Sequence, residues 1–349
     1  MTEGRRPESS KSTGERRGTP RWVGQRRGRV IAGGVIGLAG LGAAMGLPSD
    51  RTAANDSIRN AARDVVREAA VEEHTIKWDL PNLDHDRVDF WQERFVLNED
   101  MNKKMRGFLE RSGRYVPMLL EKLDERGMPR DLVYLAMIES GFQPEAYSHA
   151  AASGLWQFIA ETGKRYGLEI DRAVDERNDP VKATDAALDY LQELHERFGS
   201  WYLAAAAYNT GENRVGRIMR EEFGRERATS EGDYYRIWSR LPRETRDYVP
   251  LMIAAARIAK EPAKHGFKDV QLEPPLEYDE VILPPATQLA AVAKAAGTTV
   301  DALRGLNPHF KLNRTPNNRD YPVRLPPGSL APLAQAWGLT VGNEVTAPD

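Results

Sequence analysis

Between Asp86 and Pro262, apolar side chains return at intervals of three and four residues, and alternating strand patterns are scarce. Val88, Trp91 and Phe95 form one helical stripe. From Lys103 to Arg126 a longer pattern carries Met105, Phe108, Leu109, Tyr115, Met118, Leu119, Leu120 and Leu123. Gly127-Met128-Pro129 breaks it, and Pro129 is placed to open the next helix. Further helices are predicted around Phe158–Tyr166, Pro180–Phe198, Trp201–Tyr208, Arg214–Phe223 and Glu244–Lys260. The pattern predicts an all-α domain of short packed helices over 86–262.

At Glu261-Pro262 the character changes, and Pro274-Pro275, Pro284-Pro285 and Pro326-Pro327 punctuate a smaller module. Tyr278–Leu283 and Tyr321–Leu325 read as short strands. Between them, Gln288–Ala296 and Val300–Leu306 read as helices separated by Gly297-Thr298-Thr299. A βααβ unit of α+β class is expected over 277–328, with a tail at 329–349. The fold class as a whole is mainly α.

The other end of the chain reads differently. Residues 1–29 are rich in Arg, Gly, Ser and Pro and are expected to be a disordered basic segment. Val30–Leu47 is uncharged and mostly apolar, long enough to just cross a ~30 Å hydrocarbon core. Arg21, Arg26, Arg27 and Arg29 precede it, which favours an internal N-terminus and export of the downstream chain. The segment is a signal anchor or a cleaved signal peptide, the small residues near Ala43-Ala44 offering a processing site. If it is uncleaved, the cytoplasmic membrane is a partner. Residues 48–85 read as a polar linker. The expected location is the cell envelope, periplasmic or extracytoplasmic.

Composition narrows the chemistry. A formal charge of -2 over 349 residues gives no sign of a nucleic-acid partner. The absence of cysteine removes disulfides, a thiol nucleophile and cysteine-based zinc sites. The histidines are scattered without ligand spacing, so no metal and no cofactor is expected. Oligomeric state is not legible.

One carboxylate breaks the apolar pattern. Leu132, Leu135, Ala136 and Glu139 fall at i, i+3, i+4 and i+7, so Glu139 shares a face with core residues. Burial without a counter-charge raises a carboxyl's pKa, and a carboxylic acid that keeps its proton near neutrality suits glycosidic-bond cleavage. Four blocks surround it: Glu139-Ser140, Ser153–Ile159 with Gly154 and Gln157, Ala204–Gly211 with Tyr208-Asn209, and Glu244–Pro250 with Tyr248. Aromatic faces and amide side chains of this kind suit sugars. No second carboxylate is paired with Glu139 in these blocks, although Asp175 or Glu212, brought in by the fold, stays open as a second acid.

In that order, the Glu-Ser pair, Gly154-Leu155-Trp156-Gln157, Ala207-Tyr208-Asn209-Thr210-Gly211 and Glu244-Thr245 with Tyr248-Val249 resemble the lytic transglycosylases of the soluble-type superfamily, and its membrane-bound type D branch. Asn178–Leu191 is similar to that branch too. The resemblance covers about 86–262 and implies a goose-lysozyme-like helical catalytic domain. The βααβ unit resembles a LysM module, with Val300–Pro308 matching its second helix and the turn after it.

The implied reaction uses Glu139 as acid and then base on the bond between MurNAc and GlcNAc of peptidoglycan glycan strands, leaving 1,6-anhydro-MurNAc. Ser140 and Ser148 are implied to bind or orient substrate and acid. Gln157 and Asn209 would contact sugar amides, and Tyr208 and Tyr248 would line the cleft. A hydrolase of the same fold, or a non-catalytic peptidoglycan-binding protein, would use the same residues differently.

Overall fold

The computed structural model describes residues 77–338. The basic N-terminus, segment 30–47, most of the 48–85 linker and the end of the 329–349 tail lie outside the described residues. Among those described, no helix is long and apolar enough to cross a membrane. They divide into two compact units, 77–277 and 278–338.

The first unit is helical. Helices α1 (Asp86–Leu97) and α2 (Glu99–Glu125) are joined by Asn98, whose side chain accepts from the Met101 N–H at 3.0 Å and so starts α2 where α1 stops. Pro129 opens a 3₁₀ turn, Arg130–Leu132, and α3 (Val133–Ser140) comes directly after it. Next come α4 (Ala160–Arg165), α5 (Pro180–Phe198), α6 (Trp201–Thr210), α7 (Glu212–Phe223), α8 (Asp233–Ile237) and α9 (Arg243–Lys260). Asp179 caps α5 by accepting from the Val181 and Lys182 N–H groups, with Pro180 in the first turn where no donor is lost.

Two short helices are apolar on nearly every side because they are interior. Val133–Met137 of α3 and Tyr202–Ala207 of α6 are all buried. Ala204–Ala207 present only methyl groups, which lets neighbouring backbones approach closely. Helix α9 packs against α1, α3 and α6. This arrangement brings the end of α3, the end of α6 and the first half of α9 to one place.

Two expected boundaries move. Residues 77–85 lie against the helices instead of linking freely to them. The Asp131 carboxylate accepts the N–H groups of Asp79 and Leu80, each at 3.0 Å, and pairs with the Lys260 ammonium at 2.6 Å. Tyr202 donates its hydroxyl to the Pro81 carbonyl. The helical unit also ends at 277 and not at 262. Phe267 is in its core, and Glu273 and Leu276 donate their N–H groups to the Glu110 and Arg114 carbonyls of α2. The prolines that suggested a break at 262 instead shape a 3₁₀ turn, Pro262–His265, and then an extended return along α2.

The second unit has β1 (Asp279–Leu283) and β2 (Tyr321–Leu325) paired antiparallel, with Asp279 opposite Leu325 and Leu283 opposite Tyr321. Helices α10 (Leu289–Ala295) and α11 (Val300–Leu306) lie between them in sequence, as the βααβ pattern predicts. Buried Asn307 bridges α11 and β2, donating to the Leu303 and Arg324 carbonyls and accepting from the Arg324 N–H. The tail gives one more helix, α12 (Leu330–Trp337), which buries Leu333 and Ala334 and packs on α10 and β1.

The role of 262–277 is testable in the full chain. Phe267→Ala should lower unfolding free energy by about 3–5 kcal/mol through lost burial and a residual cavity. Urea unfolding monitored by helix content would measure it, and a loss under about 1 kcal/mol would place this segment outside the core.

Candidate active site

Glu139 is the penultimate residue of α3, at the end of an apolar helix. The residue as a whole is half-buried, and its carboxyl is the desolvated part. The Tyr248 hydroxyl, on α9, donates to Glu139 Oε1. Desolvation dominates and pushes the carboxyl up to about 7; the Tyr248 hydrogen bond opposes this, and the negative charge of Glu244 adds to it. Tyr208, at the end of α6, senses the same carboxylate. Burial first, then the Glu139 charge, holds both tyrosine hydroxyls well above their usual range, so both remain donors.

The loop after α3 turns away sharply. Gly141 and Phe142 both have φ of 60°, and a Cβ at Gly141 would lie 2.1 Å from the Phe108 ring. Arg111 of α2 donates to the Gly141 carbonyl at 2.6 Å. Ser140 is buried, and its hydroxyl donates to the Leu155 carbonyl at 2.8 Å and accepts from the Gln143 N–H. That hydroxyl therefore joins the acid-bearing helix to the next block. Ser148 accepts from the Ala152 N–H at 3.1 Å and keeps its own O–H to give.

Gln157 stands at φ 48°, with its amide nitrogen donating to the Ala146 and Gly154 carbonyls. Its carbonyl oxygen is what it can offer a ligand. Gly154 has φ of 89°, and a Cβ there would sit 1.7 Å from the Arg177 carbonyl oxygen, so no other residue fits. Arg177 is the buried tie of this region. It pairs with Asp175 at 2.7 Å and donates to the carbonyls of Ala151 and Phe158. Trp156 is core, its indole N–H donating to Thr184 at 3.0 Å, while its carbonyl accepts from the Tyr208 hydroxyl at 2.8 Å.

Asn209 is oriented from α9. Thr245 donates its hydroxyl to the Asn209 side-chain oxygen at 2.8 Å, and the Asn209 amide donates to Glu244 at 3.4 Å. Thus Glu139, Tyr208, Asn209 and Tyr248 converge, with Ser140 bracing them and Ser148 and Gln157 on the adjoining loop.

The two open acids have other partners. Asp175 is engaged by Arg177, and Glu212 accepts from Arg165 at 2.9 Å and from the Tyr190 hydroxyl at 3.0 Å. The carboxylate that does influence Glu139 is Glu244, through its charge and without a bond to it. Glu244 lies one turn before Tyr248 on the same helix, and that spacing is the signal in the sequence that points to it. An aromatic row carries no such signal. Tyr190 lies 5.2 Å from Tyr208 and 4.8 Å from Tyr166 between ring centres. Among the described residues, no group of three or more His, Asp or Glu is placed to hold a metal ion.

Residues 120–230 match the family described as Transglycosylase SLT domain, and residues 277–336 match the LysM-like domain of lytic transglycosylase MltD. The chain carries an SLT transglycosylase domain. It is homologous to the membrane-bound lytic murein transglycosylase D of Escherichia coli K12, with 34% identity over 238 residues, which is 68% of this chain and 50% of that one. The peptidoglycan transglycosylase of Escherichia phage T7 is 32% identical over 146 residues, 41% of this chain and 10% of its own. The chain thus spans about half the length of the first of these relatives and a tenth of the second. Among solved structures, an inactive mutant of lytic transglycosylase Slt from Pseudomonas aeruginosa is similar at TM-score 0.34 and 23% identity, over 45% of this chain and 25% of that one. The SLT match takes in Glu139, Gln157, Tyr208 and Asn209, while Tyr248 comes from the helix beyond it. The LysM-like match reaches into α12, so the helix in the tail completes that module.

Two substitutions should move the SLT-domain acid in opposite directions. Tyr248→Phe removes a donor to the ionised carboxyl and should raise the Glu139 pKa above about 7, by up to roughly one pH unit. Glu244→Gln removes a like charge and should lower it. Carboxyl carbon titration by NMR reads both; shifts of the same sign would refute this account of the site.

The raised pKa also has a stability sign. An unfolded Glu139 carboxyl titrates near 4.5, so below that pH both states are protonated and the residue costs nothing. Between 4.5 and about 7 the folded protein holds a proton the unfolded chain releases, and stability falls as pH rises. Glu139→Gln should therefore be more stable than the native protein above pH 7, by roughly 3 kcal/mol, with the gap closing below the unfolded pKa. Urea midpoints across that range would reveal it.

Proposed function

We propose that the helical unit is a peptidoglycan lytic transglycosylase. The observation that carries the reading is a lone, desolvated carboxyl held near neutrality by burial and touched by a tyrosine hydroxyl. Protonated Glu139 gives its proton to the oxygen between MurNAc and GlcNAc as the C1–O bond breaks. The resulting carboxylate then takes the proton of the MurNAc 6-hydroxyl, whose oxygen bonds to C1 and closes the 1,6-anhydro ring. No water enters, and Glu139 ends protonated as it began.

Tyr248 is suited to this cycle. Its hydroxyl favours the carboxylate that exists between the two proton transfers, while burial keeps that carboxylate basic enough to accept a proton back. Tyr208 and Asn209 present an aromatic edge and an oriented amide to sugar rings, Gln157 an acceptor, and Ser148 a donor. Catalysis is assigned to the 77–277 unit. The relative's name supports an envelope location; export through segment 30–47, retained or cleaved, belongs to the same proposal.

Mass spectrometry of peptidoglycan digested by the purified chain tests the reaction. MurNAc ends one water lighter than reducing ends are expected, and Glu139→Gln should lower their rate by about 10²–10⁴-fold. Activity should fall as pH rises through about 7, since the acid must hold its proton. Reducing ends alone would make the protein a hydrolase. Binding without release would make it a non-catalytic glycan binder.

A further inference from the structure

On the helical unit, away from Glu139, a cavity of about 440 Å³ opens among Trp78, Asn82, Gln92, Arg257, Lys260, Glu261 and His265, the Glu261 carboxylate being paired with Lys264. Its walls come from the 77–85 strap, α1, the end of α9 and the turn after it. Lys260 closes α9, about 18 Å of helix from Tyr248 at 1.5 Å per residue. The volume lies within the range of small-ligand sites.

The wall chemistry selects a ligand class. Both cations are already neutralised: Arg257 donates to Asp84, Asp89 and Asn82, and Lys260 pairs with Asp131. The cavity therefore offers no unbalanced positive charge for a phosphate or an acidic peptide. Trp78 contributes an aromatic ring, 36% exposed and with the Lys260 ammonium 4.6 Å from its centre. The Gln92 side-chain oxygen is buried and has no hydrogen-bond partner among the described residues, so a ligand donor toward which this amide turns would satisfy it. An aromatic ring, the Asn82 and Gln92 amides, an imidazole and a paired carboxylate fit a neutral ring rich in hydroxyl and amide groups.

We propose that this cavity binds an N-acetylated amino-sugar unit of a glycan strand, as a second carbohydrate site apart from the candidate active site. The choice of amino sugar rests on the reading of this unit as acting on peptidoglycan; the preference for a neutral, hydrogen-bond-donating ring comes from the cavity itself. Such a site would hold the polymer at one end of α9 while Glu139 works beside the other.

The test is titration of N,N′-diacetylchitobiose into the full chain carrying Glu139→Gln, read by NMR and calorimetry. In that background, Gln92→Ala and Trp78→Leu should each weaken binding by roughly tenfold, and Trp78→Phe should restore part of it. Thermal melts establish that each variant is folded, and Gln92→Ala provides the reading if the Trp78 variants are not. With Glu139 intact, Gln92→Ala should release product more slowly from insoluble sacculi than native protein does, with release from short soluble fragments unchanged.

Absence of disaccharide binding by the parent, or equal binding by folded Gln92→Ala, overturns the site. The two readings fail separately. If native protein makes no anhydro product while Gln92-dependent binding persists, the catalytic reading falls and the site stands. If anhydro product forms while Gln92→Ala binds as the parent does, the site falls and catalysis stands.

Discussion

A carboxyl group removed from water without a cation to receive it must keep its proton or be stabilised by something else, and Glu139 is balanced between these outcomes. The balance needs an apolar helix end, so α3 is interior on nearly every side. It needs a single neutral donor, which α9 supplies as Tyr248. It needs close packing of α3, α6 and α9, which the alanines of α6 allow. A cation at Tyr248's position would hold the carboxyl ionised, and an open cleft would return it to the ordinary range. The rest of the helical unit serves to keep that one group in between.

Holding the surrounding loops costs most of the nearby hydrogen-bonding capacity. Ser140, Arg177 and the amide nitrogen of Gln157 are committed to main-chain carbonyls between Ala146 and Phe158. What remains is selective: the Gln157 oxygen, the Ser148 hydroxyl proton and the second N–H of the Asn209 amide. Loops with no regular structure are thereby fixed as firmly as an element, and the polar groups still facing outward are few and aimed. This is preorganisation in the sense that orientation is settled before a ligand arrives.

Much of this was legible in the chain. Pro180–Phe198, Val300–Leu306 and Tyr321–Leu325 have the bounds that periodicity and punctuation give them, because caps and Pro or Gly residues mark their ends. The position of Glu139 on a core face was readable from spacing alone. Partners separated widely in sequence were not. Nothing local in Asp131 announces its bonds to Asp79 and Leu80, and nothing in Pro262 says that the chain will return along α2. The hydroxyl of Ser140 was readable as polar and near the acid, but its direction depends on where Leu155 is placed. The α12 helix was hidden because a short apolar stretch between glycines has no periodicity to declare.

The Asp131 clasp has a mechanical side. The strap at 77–85 is where any pull from upstream residues enters the folded unit. Its anchorage begins with Lys260 donating to the Lys77 carbonyl at 3.1 Å and continues with the pair of N–H bonds to Asp131, itself braced by Lys260. Asp131 belongs to the turn that begins α3, at the opposite end of that helix from Glu139. Tension would thus be taken up by side-chain bonds at the head of the helix and passed through Lys260 to the tail of α9. Tyr202's bond to the Pro81 carbonyl ties the same strap to α6 as well, so the load is shared between two of the helices that carry the site.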